Sequence, residues 1–358
     1  MKTKSVKRLL ALTCTAALAC ATIGCGSSAS EEQAVSTDTV DTETAASDTT
    51  DTETASADAQ SLKIAVVKQM DHASLDEIAN AVTAELDKIA ADNGIEITYE
   101  IYSGQNDQTT LKQIADQAIS DGVDAIIPIA TLAAQVSAVS AEETGTPVIF
   151  AAISDPEAAE LTGIDYVTGT SDALNTSFIL DMMLAQNPDT SKVGLLYSLS
   201  ETNSAKPIAE AKAYLDEKGI AYTEQTAATN DEVVAAASSL IAEGVDAIFT
   251  PTDNVIMAAE LAIYEDLAAA GIPHYTGADS FVRNGAFATC GVNYTDLGTR
   301  TADLAYEAIT DGFDNLDDYY LMDGGIITVN TETAEALGAD YSVFADMGQI
   351  VEVQTTEE

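Results

Sequence analysis

Apolar and polar positions along the chain follow one pattern that occurs twice. Residues 121–134 read DGVDAIIPIATLAA, and residues 243–259 read EGVDAIFTPTDNVIMAA. Each copy has a glycine at a helix end, an apolar run typical of a buried strand, and a polar tip that opens into an Ala-rich helix. The equivalent glycines, Gly122 and Gly244, are 122 positions apart, and three other landmark pairs keep nearly that spacing. A shared period indicates two related α/β units.

Strands and helices alternate around both copies. Besides the repeated strand, which is at 247–250 in the second unit, the first unit has predicted strands at 61–69, 95–102 and 147–153, and the second at 193–197, near 221 and at 273–276. The predicted helices include one ending near 93, one ending at 121, one from about 205, one from 231 and one at 293–311; a late strand is predicted at 325–329. Short connections between alternating elements predict parallel sheets that helices cover on both faces.

The first 25 residues have a different pattern. Four basic residues precede the apolar run LLALTCTAALACATIG, which leads to Cys25. This order is typical of a secretory signal, and the apolar run is too short for a comfortable membrane span. Ile23-Gly24-Cys25 resembles a bacterial lipobox, which implies lipidation of Cys25 as the mature N-terminus. The alternative is an ordinary cleaved signal in which Cys25 is discarded.

Residues 26–60 are rich in Ser, Thr, Ala, Asp and Glu and contain no aromatic residue. Such a segment cannot bury enough apolar surface to offset its chain entropy, so we expect a disordered acidic tether. As a flexible coil it would span roughly 30 to 35 Å, and its carboxylates would extend it further.

Charge narrows the choice of partners. The chain has 14 Lys+Arg and 59 Asp+Glu; four basic residues leave with the leader, which leaves 10 against 59, a formal charge of −49. Nucleic-acid binding needs clustered basic residues, so it is not predicted, and a heavily anionic ligand is disfavoured. A solvated acidic surface that keeps an exported protein soluble is the simpler interpretation.

Catalytic and metal-binding patterns are missing from the sequence. His72 and His274 are the two histidines and share no ligand spacing, so no metal site is predicted. Cys290 is the one cysteine beyond the leader, and we expect a buried small hydrophobe. No GxGxxG follows the first strand, and neither GxxxxGK[ST] nor GxSxG occurs. We therefore expect no cofactor and a protein that is not an enzyme.

Polar residues cluster where the predicted strands end, which is where ligands bind in parallel sheets. The candidate ligand-binding residues are Met70, Asp71, Thr131, Ser154, Asp155, Thr170, Tyr197, Glu201, Asn203, Ser204, Thr252, Asp253, Asn254, Asp279, Ser280 and Phe281. Helix starts at these tips offer N–H groups that suit a small carboxylate, whereas Asp253 and Asp279 suit an ammonium group. Helix capping is the ordinary alternative for any single tip.

Several short strings occur in a characteristic order. They are DHASLD at 71–76, IATLAAQ at 129–135, ISDP at 153–156, TGTSD at 168–172, SETNS at 200–204, PTDN at 251–254, ADS at 278–280 and YTDLG at 294–298. From about Leu62 to Gly338 the chain thereby resembles the substrate-binding lipoproteins of ABC transporters related to the tryptophan/tyrosine-binding proteins. Leu132 and Asp71 depart from the proline and glutamate that this family usually has there.

The resemblance implies an α/β fold of the type I periplasmic binding protein architecture, with two Rossmann-like lobes, parallel sheets and three hinge crossovers. The crossovers are expected near 166–172, 291–294 and 322–326. The expected domains are a lipoprotein signal at 1–25, the tether at 26–60, an N-terminal lobe at 61–168 plus 293–322, and a C-terminal lobe at 169–292 plus 323–358.

Two functions remain after these considerations. The first is a monomeric receptor, lipid-anchored at the extracytoplasmic face of the membrane, that traps a small solute by hinge closure. It would deliver the solute to ABC permease subunits with a cytoplasmic ATPase. We expect the ligand to be an amino acid, with an aromatic one as the narrower choice and a sugar or other small solute as the alternative. The second function is a sensory binding protein that reports its ligand to a membrane partner.

Overall fold

The structure is a computed structural model that describes residues 61–356. The leader, Cys25, the tether and the last two residues lie outside the described residues. Cys290 is buried and free. Among the helices of residues 61–356, none is both long and apolar enough for a membrane span.

The first lobe is built on six strands and four helices. The strands are β1 (Ser61–Lys68), β2 (Glu96–Ser103), β3 (Ala125–Ile129), β4 (Val148–Phe150), β5 (Val167–Ser171) and β11 (Tyr320–Leu321). The helices are α1 (Ala73–Asn93), α2 (Gln108–Ser120), α3 (Thr131–Ala141) and α10 (Tyr294–Asp311). The strands pair in parallel in the order β11-β5-β4-β3-β1-β2.

Alternation along β1 explains why helices cover both faces of this sheet. Ile64 and Val66 pack in one buried cluster with residues of α1 and α10. Ala65 and Val67 pack in another with residues of α2 and α3. Because successive side chains of a strand point to opposite faces, one apolar strand supplies both cores.

The second lobe is built on seven strands. They are β6 (Lys192–Tyr197), β7 (Ala221–Thr226), β8 (Ala247–Thr250), β9 (His274–Thr276), β10 (Ala288–Gly291), β12 (Ile326–Asn330) and β13 (Ile350–Val353). The helices are α4 (Thr176–Gln186), α5 (Thr202–Lys218), α6 (Asn230–Glu243), α7 (Asn254–Met257), α8 (Tyr264–Ala269), α9 (Asp279–Arg283) and α11 (Thr331–Leu337), with 3-10 turns at Glu260–Ala262 and Ser342–Asp346. The strand order is β13-β12-β10-β9-β8-β6-β7.

One pairing departs from the expected parallel sheets: β10 and β12 are antiparallel. The chain leaves β10 at the end of the sheet that faces the first lobe. It returns at that same end, so β12 must run in the opposite direction. Both sheets are otherwise parallel, which confirms the predicted α/β class.

The repeated motif has the same local structure in both lobes. Its glycine ends a helix with a positive φ, 70° in the first copy and 66° in the second. The aspartate two positions later binds the backbone where a neighbouring strand begins: Asp124 Oδ2 accepts from the N–H of Lys63 at 2.8 Å, and Asp246 Oδ2 from that of Lys192 at 2.9 Å. The Gly-Val-Asp-Ala string thus ends a helix and fixes the next strand beside its neighbour.

The chain passes between the sheets of residues 61–356 three times, after β5, after β10 and after β11. The predicted limit between 168 and 169 falls inside β5, which pairs with β4 and β11 of the first lobe. We therefore propose that the first lobe extends to Ser171. The other predicted lobe limits stay proposals.

Helix α10 comes close to α1 at Gly298. A Cβ built on this glycine would lie 2.7 Å from the Ala81 Cβ and 2.7 Å from the Ile78 carbonyl oxygen. No side chain larger than hydrogen fits that distance without movement of the backbone. Gly298 therefore sets the spacing between a helix that starts at the cleft and the helix that follows a crossing.

Candidate functional site

A small cavity lies where the carboxyl ends of the two sheets face each other. Its volume is about 20 Å³, on the order of one buried water molecule. Polar lining comes from both lobes and from two crossing segments: His72, Ser74, Thr131, Ser154, Asp172, Asn203, Thr252, Asp253, Asn254 and Tyr294. Apolar lining comes from Leu75, Ala130, Ala152, Met257, Ala278 and Phe281.

Seven of the predicted residues line this cavity: Thr131, Ser154, Asn203, Thr252, Asp253, Asn254 and Phe281. Three more contact the lining residues from just outside it. Glu201 accepts from Asn254 Nδ2 at 2.7 Å, Ser204 donates to Asp253 Oδ2 at 2.7 Å, and Ser280 shares a short hydrogen bond with Ser74. The tips of two different sheets thus meet at one place.

The other predicted residues have partners elsewhere. Asp71 is exposed and binds Lys68, Ser103 and Gln105. Asp155 lies 3.2 Å from the Lys206 ammonium, and Met70 is half-buried against the core.

Thr170, Tyr197 and Asp279 also have partners away from the cavity. Thr170 shares a hydrogen bond with Thr301, Tyr197 donates to Glu224, and Asp279 pairs with Arg283. The structure does not bring these side chains into the cavity lining.

Asp253 is fully occupied within its own lobe. Oδ2 accepts from Ser198 N and Ser204 Oγ, both at 2.7 Å, and Oδ1 accepts from Val255 N and Ile256 N, both at 3.1 Å. Burial raises the pKa of this carboxyl, against the effect of these hydrogen bonds. The side chain caps α7, which is the ordinary use of aspartate at a strand tip.

Asp172 has a different environment, in the first crossing segment. It is 5% exposed and lines the cavity. Ser154 donates to Oδ1 at 2.9 Å and Tyr294 donates to Oδ2 at 3.1 Å. Burial raises the pKa of the Asp172 carboxyl and that of the Tyr294 phenol. A carboxylate can accept about four hydrogen bonds, so Asp172 can accept more from a ligand.

A hydrogen-bonded chain connects the lobes beside the cavity. Gln69 of the first lobe donates to Glu201 Oε1 of the second at 2.9 Å. Asn254 Nδ2 donates to Glu201 Oε2, and Asn254 Oδ1 lies 3.0 Å from Nε2 of His72 in the first lobe. Burial and the neighbouring Asp253 raise the pKa of Glu201 to about 7, whereas burial lowers the pKa of His72 to about 4.

Other contacts also hold the lobes together. Ser154 lies 3.0 Å from the Thr252 hydroxyl, and Glu77 of α1 forms an ion pair with Arg283 of α9. With the Ser74–Ser280 bond, these contacts run from α1 to the tips of β4 and β8. The lobes are therefore closed on each other.

Helix starts around the cavity are of two kinds: Asp253 caps α7 and Asn293 caps α10, whereas other starts there lack such a cap. Side chains cap α2, α4, α6 and α11, whose starts do not line the cavity. By contrast, the residues that precede α1, α3, α5 and α9 make no side-chain cap. The starts of α1 and α3 contribute Ser74 and Thr131 to the cavity lining. Such starts leave backbone N–H donors and a positive dipole end available, although at α3 the Leu132 N–H already donates to Gln69 Oε1.

Sequence reasoning did not select five polar residues of this site: Gln69, His72, Ser74, Asp172 and Tyr294. His72 was considered as a metal ligand, and among residues 61–356 no cluster of His, Cys, Asp and Glu could hold a metal ion. Asp172 and Tyr294 belong to TGTSD and YTDLG, so the crossing segments themselves were the signal. Gln69 is the last polar residue before the first tip.

Known proteins share this architecture. The tyrosine-binding protein of Clostridioides difficile (strain R20291) is 28% identical over 279 residues, which cover 76% of this chain and 80% of that protein. An ABC domain from Streptococcus pneumoniae in complex with L-Trp is 27% identical, with a TM-score of 0.72 over 82% of this chain and all of that one. A ligand-free, open substrate binding protein with adhesive properties from Clostridium difficile is 28% identical, with a TM-score of 0.61 over the same shares.

The fold, the cleft site and the sequence all agree with one family. The model of that family, described as ABC transporter substrate binding protein, matches residues 63–342, which include most of both lobes and all three crossings. The chain belongs to the ABC transporter substrate binding protein family.

Proposed function

We propose that this chain is the extracytoplasmic solute-binding lipoprotein of an ABC importer and that it captures an α-amino acid between its lobes. It would deliver the ligand to permease subunits that a separate ATPase energises. Family membership supports the transport role, and the binding proteins for tyrosine and L-Trp support the ligand class. The protein would act by binding, without chemistry on the ligand.

One observation carries the ligand class: a single cavity combines a helix start with a buried carboxylate. The start of α3 offers N–H donors and a positive dipole end to a carboxylate, as helix N-termini do for small anions. Asp172 offers an acceptor for an ammonium group. A zwitterion carries both complementary charges, whereas a neutral sugar carries neither.

The lining residues suggest how the ligand is held. Thr131 would support the carboxylate beside the start of α3, and Asp172 would pair with the ammonium group. Phe281 and Met257 would contact the ligand side chain, because they supply large apolar surface to the cavity. Asp253 would not contact the ammonium directly, because its oxygens already bind their own lobe.

Entry of the ligand requires the lobes to separate. Ligand pockets are typically about 300 to 1,000 Å³, whereas this cavity measures about 20 Å³. Separation about the crossing segments would break the Gln69–Glu201 and Ser154–Thr252 contacts and enlarge the cavity, and the lobes would then close around the ligand. The higher TM-score to the L-Trp complex than to the open protein supports the assignment of this conformation as closed.

A thermal melting screen tests the ligand class. Ligand at a hundred times its Kd stabilises the folded state by about 2.7 kcal/mol, which raises the Tm of a domain this size by several degrees. We expect amino acids to raise the Tm and monosaccharides to leave it unchanged. Asp172→Asn should lower the affinity for the tightest-binding amino acid by roughly tenfold or more, because the ammonium group of the ligand loses a buried charged partner.

Asp71→Asn is the matched control, because Asp71 is exposed and lies outside the cavity lining. It should leave the shifts unchanged. A melt that responds to a monosaccharide and to no amino acid would contradict the zwitterion proposal.

A further inference from the structure

Hydrogen-bond directions fix the orientation of each group in the inter-lobe chain. Gln69 Oε1 accepts from the backbone N–H of Leu132 at 2.9 Å. A backbone N–H can only donate, so the Gln69 amide nitrogen must face Glu201. Glu201 thus receives a donor on Oε1, and in its ionised form, which can only accept, it also receives the Asn254 amide nitrogen on Oε2.

The same reasoning fixes the tautomer of His72. Because the Asn254 nitrogen faces Glu201, its oxygen faces His72 Nε2, which must therefore carry the hydrogen. Burial lowers the pKa of His72 to about 4, so the ring is neutral near pH 7 and Nδ1 is an acceptor. This Nδ1 is buried and has no hydrogen-bond partner among the described residues.

A second acceptor lies on the opposite lobe. Asn203 Nδ2 donates to the Thr252 carbonyl at 2.7 Å, which leaves Oδ1 as the acceptor. Asn203 is 8% exposed, and its Oδ1 is buried without a hydrogen-bond partner within residues 61–356. Both His72 and Asn203 line the cavity. Two buried unpaired acceptors at one cavity are unfavourable unless a donor reaches them.

His72 lies away from the part of the cavity assigned to the ammonium group, and Asn203 lies on the opposite lobe. His72 follows β1, whereas Asp172 follows β5 at the crossings. In the first sheet, β3 and β4 separate β1 from β5, and neighbouring strands are about 4.8 Å apart. A ligand whose ammonium binds Asp172 and whose carboxylate lies at the start of α3, after β3, therefore presents its side chain toward His72, after β1, with Asn203 on the opposite lobe.

We propose that His72 Nδ1 and Asn203 Oδ1 form a side-chain subsite that selects amino acids bearing an uncharged hydrogen-bond donor. A phenol hydroxyl or an indole N–H fits this chemistry, and an unsubstituted phenyl ring does not. The subsite rests on the proposed amino-acid function and adds the basis of discrimination between side chains. A site with buried polar groups rejects a ligand that leaves them unpaired.

Titration calorimetry with L-tyrosine, L-tryptophan and L-phenylalanine tests the subsite. The wild-type protein should bind the better of tyrosine and tryptophan about ten- to a hundredfold more tightly than phenylalanine. His72→Gln keeps an amide near the Nε2 position but removes Nδ1, and Asn203→Leu removes the acceptor at similar volume. Each variant should reduce that preference severalfold, mainly by lowering the affinity for the ligand that carries the hydrogen-bond donor. Tyr197→Phe, outside the cavity, should keep it.

The outcomes separate this inference from the proposed function. Equal wild-type affinity for phenylalanine, tyrosine and tryptophan would overturn the subsite and leave the amino-acid function intact. An equal loss of affinity for all three ligands in both variants would also overturn the subsite, because this result would assign the acceptors to the ammonium group that all three ligands share. Binding of no amino acid would overturn the proposed function and the subsite together. The wild-type comparison does not depend on the folding of any variant.

Discussion

Glu201 and His72 show how two buried groups on opposite lobes can balance each other. Both lie on the inter-lobe chain, with Asn254 between them. Asp253 and Gln69 face Glu201, while Asp71, Asp76 and Lys68 act on His72 at longer range. Closure brings each group out of water, so it favours the neutral form of both.

The two titrations have opposite signs. The pKa of Glu201 is about 7 in the closed lobes, against an ordinary 4.5, so its contribution to closure is full below 4.5 and is lost as pH rises toward 7. The pKa of His72 is about 4, against an ordinary 6.5, so its contribution is full above 6.5 and is lost as pH falls toward 4. Between pH 4.5 and 6.5 one group takes up a proton on closure while the other releases one.

We therefore expect the ligand affinity of the wild-type protein to change little between pH 4.5 and 6.5. In His72→Gln the Glu201 titration remains, and affinity should fall with rising pH by up to about tenfold per unit. In Glu201→Gln the His72 titration remains, and affinity should rise with pH by a similar factor. Calorimetric titrations at four pH values measure these slopes. Slopes of the same sign in both variants would show that the two groups do not balance each other.

Residue chemistry at the strand tips could be predicted from sequence only in part. Thr131, Ser154 and Asn254 follow apolar strands, and the sheet edge brings them together as expected. Asp172 and Tyr294 reach the cavity through the crossings, whose geometry no local pattern specifies. Asp253 has the right position but caps its own helix, and only its hydrogen bonds reveal this.

At the scale of elements, long periodic segments were predictable and short ones were not. The strand of each repeated motif and helices α1, α2 and α6 lie within a few residues of their predicted bounds. Strand β5 was taken for part of a crossing, and α4, α9, α11, β11 and β13 were not predicted. Helix α4 reads TSFILDMMLAQ, which is apolar around most of its circumference, so it has little helical periodicity. Strand β11 has two residues, too few for a pattern.

Substitution of Gly298 tests the close packing of α1 and α10. Gly298→Ala should destabilise the protein by about 1 to 3 kcal/mol, because the new methyl group would overpack against Ala81 and the Ile78 backbone. The better helix propensity of alanine offsets about 1 kcal/mol of that loss. Thermal unfolding should show a Tm that is several degrees lower. If the destabilisation is at the lower end of that range, the Tm should barely change.

Thr310→Ala is the control on the same helix, since Thr310 is exposed and its hydroxyl binds the carbonyl of Tyr306. It should alter the Tm by less than Gly298→Ala does. A clear stabilisation by Gly298→Ala would show that the helices can separate without loss of packing.

For the whole molecule, anchoring depends on Cys25, which lies outside the described residues. We expect Cys25→Ala to release the protein from the membrane, because stable attachment needs two acyl chains and each buried CH₂ contributes about 0.8 kcal/mol. Fractionation of cells and medium after a high-salt wash measures the release. Cys20→Ala, within the leader, should stay attached. Retention of the Cys25→Ala protein on the membrane would contradict lipid anchoring at this residue.

The crossings also determine the order in which the protein can fold. The first sheet contains β5 and β11, and 150 positions separate Ser171 from Leu321. At synthesis rates of about 5 to 20 residues per second, that gap takes roughly 8 to 30 s. The second sheet in turn waits for β12 and β13. A nascent chain therefore presents two unfinished sheet edges at once until β11 has emerged, and a truncation before Tyr320 removes strands from both lobes.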